Sequence, residues 1–117
     1  MARILICEPV AETRELLERL INRMGHVIVG IDDLEMVDVL VFEPGSPAGL
    51  AIARRVLEAR PDASLVACSA EPARPPQLLT QRIVATLQQP FSPADLARAL
   101  LACTVDQPDG GPTAAGA

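Results

Sequence analysis

Four polar residues stand where short apolar runs end: Glu8 after RILIC, Glu43 after DVLVF, Ser69 after SLVAC, and Gln89 just beyond IVATL. Two carboxylates, a hydroxyl and a carboxamide at strand ends could hold a hard cation or take part in phosphoryl chemistry, provided that enough charge converges on them. Cys7 adds a thiol beside Glu8, and Arg14 follows it with six residues between. Other chemistry is excluded by composition. His26 is the only histidine, so a histidine-based metal cluster or catalytic triad cannot be assembled. Lysine is absent altogether, and without Trp or Tyr, and with only Phe42 and Phe91, aromatic platforms for bases or flavins are lacking. Ser69 as a nucleophile has no base to activate it.

These groups sit in a chain of 117 residues, half of them hydrophobic and 21% charged, which suits one domain with a core of its own. The formal net charge of −5 and the scattered arginines oppose binding to phosphate backbones, so no nucleic-acid partner is expected. No apolar run approaches the roughly 18 to 20 residues that cross a bilayer, and Met1-Ala2-Arg3 leads straight into strand-like sequence, so no membrane partner and no leader are expected. Cys7, Cys68 and Cys103 form an odd set without CxxC spacing and lie in apolar segments, which points to free thiols in a reducing cytoplasm.

The elements that must position the polar residues follow from periodicity. Arg3–Cys7 reads as a strand. In the next stretch Leu16, Leu17, Leu20, Ile21 and Met24 recur at helical spacing, with Pro9 suited to the first turn, Glu12 and Glu15 near the start, and Gly25 able to close the helix. His26–Gly30 and Asp38–Phe42 read as buried strands, but the seven residues from Ile31 to Val37 are too few for an ordinary parallel crossover, so the second helix is truncated or replaced by a loop. A helix is expected over about Ala48–Arg60, with Leu50, Ala53, Val56 and Leu57 on one side, then a strand over Ser64–Cys68, a short helix over about Pro76–Gln81, and a fifth strand over Ile83–Leu87. Ser92-Pro93-Ala94-Asp95 supplies a cap, a proline at the first position and an early acid. It opens a helix through Cys103 whose Leu96, Leu100 and Leu101 are expected to face inward and Ala94, Arg98, Ala99 and Ala102 outward. The last segment, Asp106–Ala117, lacks periodicity and large apolar residues and is expected to be a disordered tail beyond a single domain over residues 1–105. Strands alternating with helices imply an α/β fold with a central parallel sheet and right-handed crossovers.

In such sheets functional groups gather beyond the carboxyl ends of the strands, where Glu8, Glu43, Ser69 and Gln89 fall. This set resembles the receiver (CheY-like) domain of bacterial two-component response regulators, together with the Pro-containing loop before Gly49, the Ser69-Ala70-Glu71 run and the Gln89-Pro90-Phe91-Ser92-Pro93-Ala94-Asp95-Leu96 run. The likeness covers about Arg3 to Thr104. It implies a flavodoxin-like three-layer sandwich with a five-stranded parallel sheet in the order 2-1-3-4-5, here with a truncated second and a short fourth helix. It also implies a degenerate pocket. The phosphoacceptor aspartate corresponds to Glu43, the metal-holding acid pair to Glu8 and Pro9, the retained hydroxyl to Ser69, the lysine to Gln89, and the switch aromatic to Thr86.

Magnesium and a lysine ammonium offset the charge that develops on a transferring phosphoryl group, so these losses compound. The expected function is therefore that of a pseudo-receiver. Such a domain is not an enzyme and needs no cofactor, and it acts in signalling or regulation, independently of phosphorylation, through protein contacts. The resemblance puts the contact surface at Arg82, Arg98, Ala99 and Ala102, so that a protein partner or a second copy would dock on the last helix. Alternatives are a variant responsive to a ligand or metal in the acidic pocket, with Glu8 and Glu43 as weak metal candidates, a permanent Glu43 carboxylate standing in for a phosphorylated aspartate by accepting from Ser69 or Gln89, and a remnant without activity. A Cys7-based phosphatase is disfavoured. Its loop needs five residues between Cys and Arg, and EPVAET has six, with no glycine, a proline lacking an N–H, and two acids.

Overall fold

Apolar runs too short for helices pair into one sheet, because only neighbouring strands can satisfy the buried backbone of such segments. The computed structural model describes residues 1–70, 79 and 81–105. Its strands are β1 (Arg3–Cys7), β2 (Val27–Ile28), β3 (Val39–Phe42), β4 (Ser64–Ser69) and β5 (Ile83–Gln88). All neighbouring pairs are parallel, in the order β2-β1-β3-β4-β5. The register aligns Cys7 with Phe42, Phe42 with Ala67, and Ser69 with Gln88, so the carboxyl ends of the central strands lie at one level.

Alternation of side chains divides the core in two. Ile4, Val39, Val41, Val66, Cys68 and Leu87 pack with α1 (Ala11–Arg23) and α3 (Pro93–Val105). Leu5, Leu40, Phe42, Leu65 and Ala67 pack on the other side with Ile52, Ala53 and Val56 of α2 (Pro47–Ala59) and with Leu79. Burying each aliphatic side chain in these layers is worth about 1.5–3 kcal/mol. β3 and β4 are buried along their whole length, as a sheet covered on both faces requires.

The crossover from β2 to β3 runs as 3-10 turns over Ile31–Met36, kinked at Asp33 (φ −119°, ψ 44°), and spans in six residues what an α-helical connection would need more chain to cover. The expected shortening is thus observed. At the amino ends of the strands Asp38 accepts from the Arg3 N–H at 2.8 Å and from Arg60 Nη1 at 3.0 Å, tying β1, β3 and the end of α2 together.

Helix ends follow their local chemistry. Gly25 closes α1 with φ +89°, a conformation that side chains with a Cβ disfavour. Ser46 Oγ accepts from the Gly49 N–H at 3.3 Å ahead of Pro47. Ser92 and Asp95 exchange two hydrogen bonds, with Ser92 Oγ accepting from the Asp95 N–H at 3.1 Å and Asp95 Oδ2 from the Ser92 N–H at 2.9 Å, a reciprocal cap that opens α3.

Several boundaries differ from expectation. Helix α1 starts at Ala11 and not around Pro9, because Val10 is still extended and gives its N–H to Glu8 Oε2 at 3.1 Å. Leu16, expected on the apolar stripe, is exposed. In α3 the inward stripe is Leu96, Ala99, Leu100 and Cys103, at helical spacing, whereas Leu101 is 62% exposed. Ala99, expected on the outer face, is buried at 5% exposure because the close packing of α3 on the sheet favours a small side chain at that position. The short helix expected over about Pro76–Gln81 and the tail Asp106–Ala117 lie outside the described residues, apart from helical Leu79 and Gln81 in a turn.

Candidate functional site

The strand register carries the polar residues to one end of the sheet. Glu8 follows Cys7 and Glu43 follows Phe42, its register partner, and the Glu43 N–H donates to the Cys7 carbonyl at 3.3 Å. Ser69 ends β4, and the Gln89 N–H donates to its carbonyl at 2.8 Å. The Gln89–Pro90 peptide is cis. Four of the expected pocket residues, Glu8, Glu43, Ser69 and Gln89, are therefore brought together. Pro9 stands beside them, exposed, and contributes no acid.

Each glutamate gives one oxygen to its own backbone. Glu8 Oε2 accepts from the Val10 N–H at 3.1 Å, and Glu43 Oε2 accepts from the Gly45 N–H at 2.9 Å. The second oxygen of Glu8, Oε1, is buried without a hydrogen-bond partner, and Glu8 as a residue is 5% exposed. Burial pushes the Glu8 carboxyl above the ordinary carboxylate range, the Val10 N–H opposes that shift, and the charge of Glu43 adds to it. The Gln89 amide and the Arg14 guanidinium offset part of the effect. Neither takes Oε1. Gln89 Nε2 points at Cys68 Sγ at 3.5 Å, and Arg14 Nη1 donates to the Glu8 backbone carbonyl at 3.1 Å.

This geometry bears on the metal that the resemblance implies. A hard dication takes about six oxygen ligands. The glutamates leave one uncommitted oxygen each, Pro9 has no carboxylate, and the described residues include no group of three or more His, Cys, Asp or Glu that could hold a metal ion. Among the described residues magnesium would meet two carboxylate oxygens and would depend on water for the rest of its shell, a sparser set than the acids the resemblance implies.

The thiols are equally unsuited to nucleophilic attack. Burial raises the Cys7 pKa, with the Glu8 charge adding to it, and burial pushes Cys68 up to about 11. A thiol held protonated is a poor nucleophile, and Arg14 is engaged with the Glu8 carbonyl, which argues against the Cys7-based phosphatase.

The remaining expected residues lie apart from the pocket. Thr86 is exposed on β5 and, with Gln88, Pro90, Asp95 and Arg98, lines a surface cavity of about 470 Å³ between β5 and α3. Arg98 is exposed and paired with Asp95, and Ala102 is half-buried. Arg82 sits at the opposite, amino end of β5, where Nη2 donates to the Ala63 carbonyl at 3.0 Å. Arg14, weighed in the sequence only as the partner of Cys7, neighbours the pocket, and two further neighbours, Cys68 and Gly45, carry no site reading in the sequence. For Gly45 a signal exists, an acid followed two positions later by glycine in a turn, which lets the backbone N–H close on the carboxylate.

No protein-family model and no curated protein matches the chain. Solved structures do. A CheY-like response regulator receiver domain protein from Methanospirillum hungatei JF-1 has a TM-score of 0.78 at 16% identity, covering 95% of this chain and 99% of that one. A putative pilus assembly protein (cpaE) from Burkholderia thailandensis E264 has a TM-score of 0.69 at 22% identity, covering 91% and 100%. The response regulator protein TrrA from Thermotoga maritima, solved in complex with Mg(2+)-BeF, has a TM-score of 0.69 at 19% identity, covering 88% and 99%. At these identities the likeness establishes the architecture: the chain has the fold of CheY-like receiver domains.

Proposed function

We propose that the chain is a phosphorylation-independent receiver-like regulatory domain that acts through protein contacts. The observation that carries this reading is the state of Glu43, the residue at the carboxyl end of β3. Its Oε2 is turned back onto the Gly45 N–H of its own loop. Pro9 beside Glu8 and the neutral Gln89 support the same reading, because phosphoryl transfer depends on cationic stabilisation and the cation described near the pocket, Arg14, is held on the Glu8 carbonyl. The stand-in role for a permanent Glu43 carboxylate gains no support from Gln89, whose amide is directed at Cys68. Solved structures with this fold range from response regulators to a putative pilus assembly protein, in keeping with the rule that fold alone does not dictate activity.

The contact surface proposed is the outer face of α3, with Arg98 and Ala102 from the original set and Leu101, 62% exposed, in place of buried Ala99. Arg82, held by Ala63 at the far end of β5, drops out of it. The occupant is a protein partner or a second copy of the chain. No helix among the described residues is long and apolar enough to cross a membrane, and the absence of a disulfide among Cys7, Cys68 and Cys103 suits a reducing cytoplasm.

The test is Arg98→Glu combined with Leu101→Glu. Both side chains are exposed, so the circular dichroism spectrum should be retained, while self-association in sedimentation or co-purification of a partner falls about tenfold, or about 1.4 kcal/mol. Unchanged association in the folded variant would move the contact surface off α3.

A further inference from the structure

We infer that the Glu8–Glu43 pocket is a binding site for a primary ammonium group, from a small amine or from a lysine side chain of a protein partner. It goes beyond the α3 contact surface and does not depend on it. Glu8 Oε1 is a carboxylate oxygen on a residue that is 95% buried, and no donor reaches it at hydrogen-bond geometry. A buried acceptor left without a partner costs roughly 1–3 kcal/mol, and more for a charged group, so a ligand that supplies the donor recovers that cost.

The rest of the pocket defines the donor. Glu43 contributes a second negative charge, felt at Glu8, and its Oε2 is held by Gly45 just as Glu8 Oε2 is held by Val10. Two separate carboxylates thus present one uncommitted oxygen each. A guanidinium is a planar fork matched to both oxygens of a single carboxylate, which this arrangement does not offer. Magnesium would find only two carboxylate oxygens here and would have to fill the rest of its octahedral shell with water. An ammonium is a compact cation with three divergent N–H donors, able to serve one oxygen on each glutamate and keep a third donor for a neighbouring polar group.

The chain cannot satisfy this need with a lysine of its own, since it contains none. Among the described residues the cation beside it, Arg14, is anchored on the Glu8 carbonyl, and the Gln89 amide, drawn to both Cys68 and the Glu8 carboxyl, does not reach Oε1 at hydrogen-bond geometry. Pro9, Val10, Gly45 and Ala70, the sequence neighbours of the pocket residues, are exposed, so the pocket lies close beneath the surface.

The experiment titrates the 15N-labelled full chain in amine-free phosphate buffer with n-butylammonium chloride, with a lysine-containing peptide and its Nε-acetylated control, and with MgCl₂. The expected result is saturable movement of the Val10, Gly45 and Gln89 amide signals with the ammonium probes. It should be absent with the acetylated peptide and with magnesium, and weakened about tenfold or more by Glu8→Gln. Tighter binding of the peptide than of butylammonium identifies the source as a protein lysine, and equal binding identifies a small amine. Glu43→Gln provides an independent check if Glu8→Gln perturbs the fold. Binding that survives both substitutions, magnesium outcompeting the ammonium, or no response to any ammonium probe would overturn the inference.

Discussion

Gly49 lies directly against the backbone of Glu43, so that a Cβ at position 49 would fall 2.4 Å from the Glu43 carbonyl oxygen. The first turn of α2 can approach the loop after β3 only because residue 49 has no side chain, and this approach fixes the height of Glu43 above the sheet. Replacement by alanine must push helix and loop apart. Gly49→Ala should therefore cost about 1–3 kcal/mol, the usual penalty for overpacking, and lower Tm by roughly 4 °C for each of them. The Gly45 amide signal should shift with it. A melting curve unchanged from that of the parent would show that the loop yields freely.

Burial holds the Glu8 carboxyl above its ordinary pKa, so the folded protein takes up this proton at a higher pH than the unfolded chain does. Stability is then lost as pH rises from the ordinary glutamate value of 4.5 through the higher folded value. Gln keeps an acceptor for the Val10 N–H and carries no charge. Glu8→Gln should be more stable than the parent at pH 7 by urea denaturation, with an advantage that shrinks toward pH 4.5. Equal stability at pH 7 would mean that the buried charge costs nothing.

His26 carries the opposite sign. Its Nδ1 accepts from the Ala2 N–H at 2.9 Å, tying the chain start to the loop before β2, and protonation removes that acceptor. Burial, aided by the positive N-terminus, lowers its pKa below 6.5, so its contribution is complete above 6.5 and is lost as pH falls through the folded value. His26→Asn retains an acceptor that does not titrate. In melts between pH 8 and pH 5 the parent should lose stability relative to His26→Asn, and parallel curves would refute the linkage.

Most of the fold was legible because the buried strands are continuous apolar runs broken by recognisable turns. The seven residues from Ile31 to Val37 even disclosed the shortened crossover that became the 3-10 helix. The phase of α3 was misread for a physical reason. Alanine carries no pattern of its own, so periodicity alone points Leu101 to the core and Ala99 to the surface, whereas tight packing against the sheet selects the small residue. The pocket members were legible from their places after the strands. Their bonding was not, since the closures of Glu8 on Val10 and of Glu43 on Gly45 are side-chain contacts with the backbone that leave no periodic trace.

The most direct measurement of the central claim is the intact mass of the protein after incubation with acetyl phosphate and Mg²⁺. With Glu43 closed on Gly45, Pro9 in place of an acid and no lysine in the chain, the account predicts an unchanged mass. A gain of one phosphoryl group that disappears in Glu43→Ala would contradict it, because the pocket would then still perform the transfer.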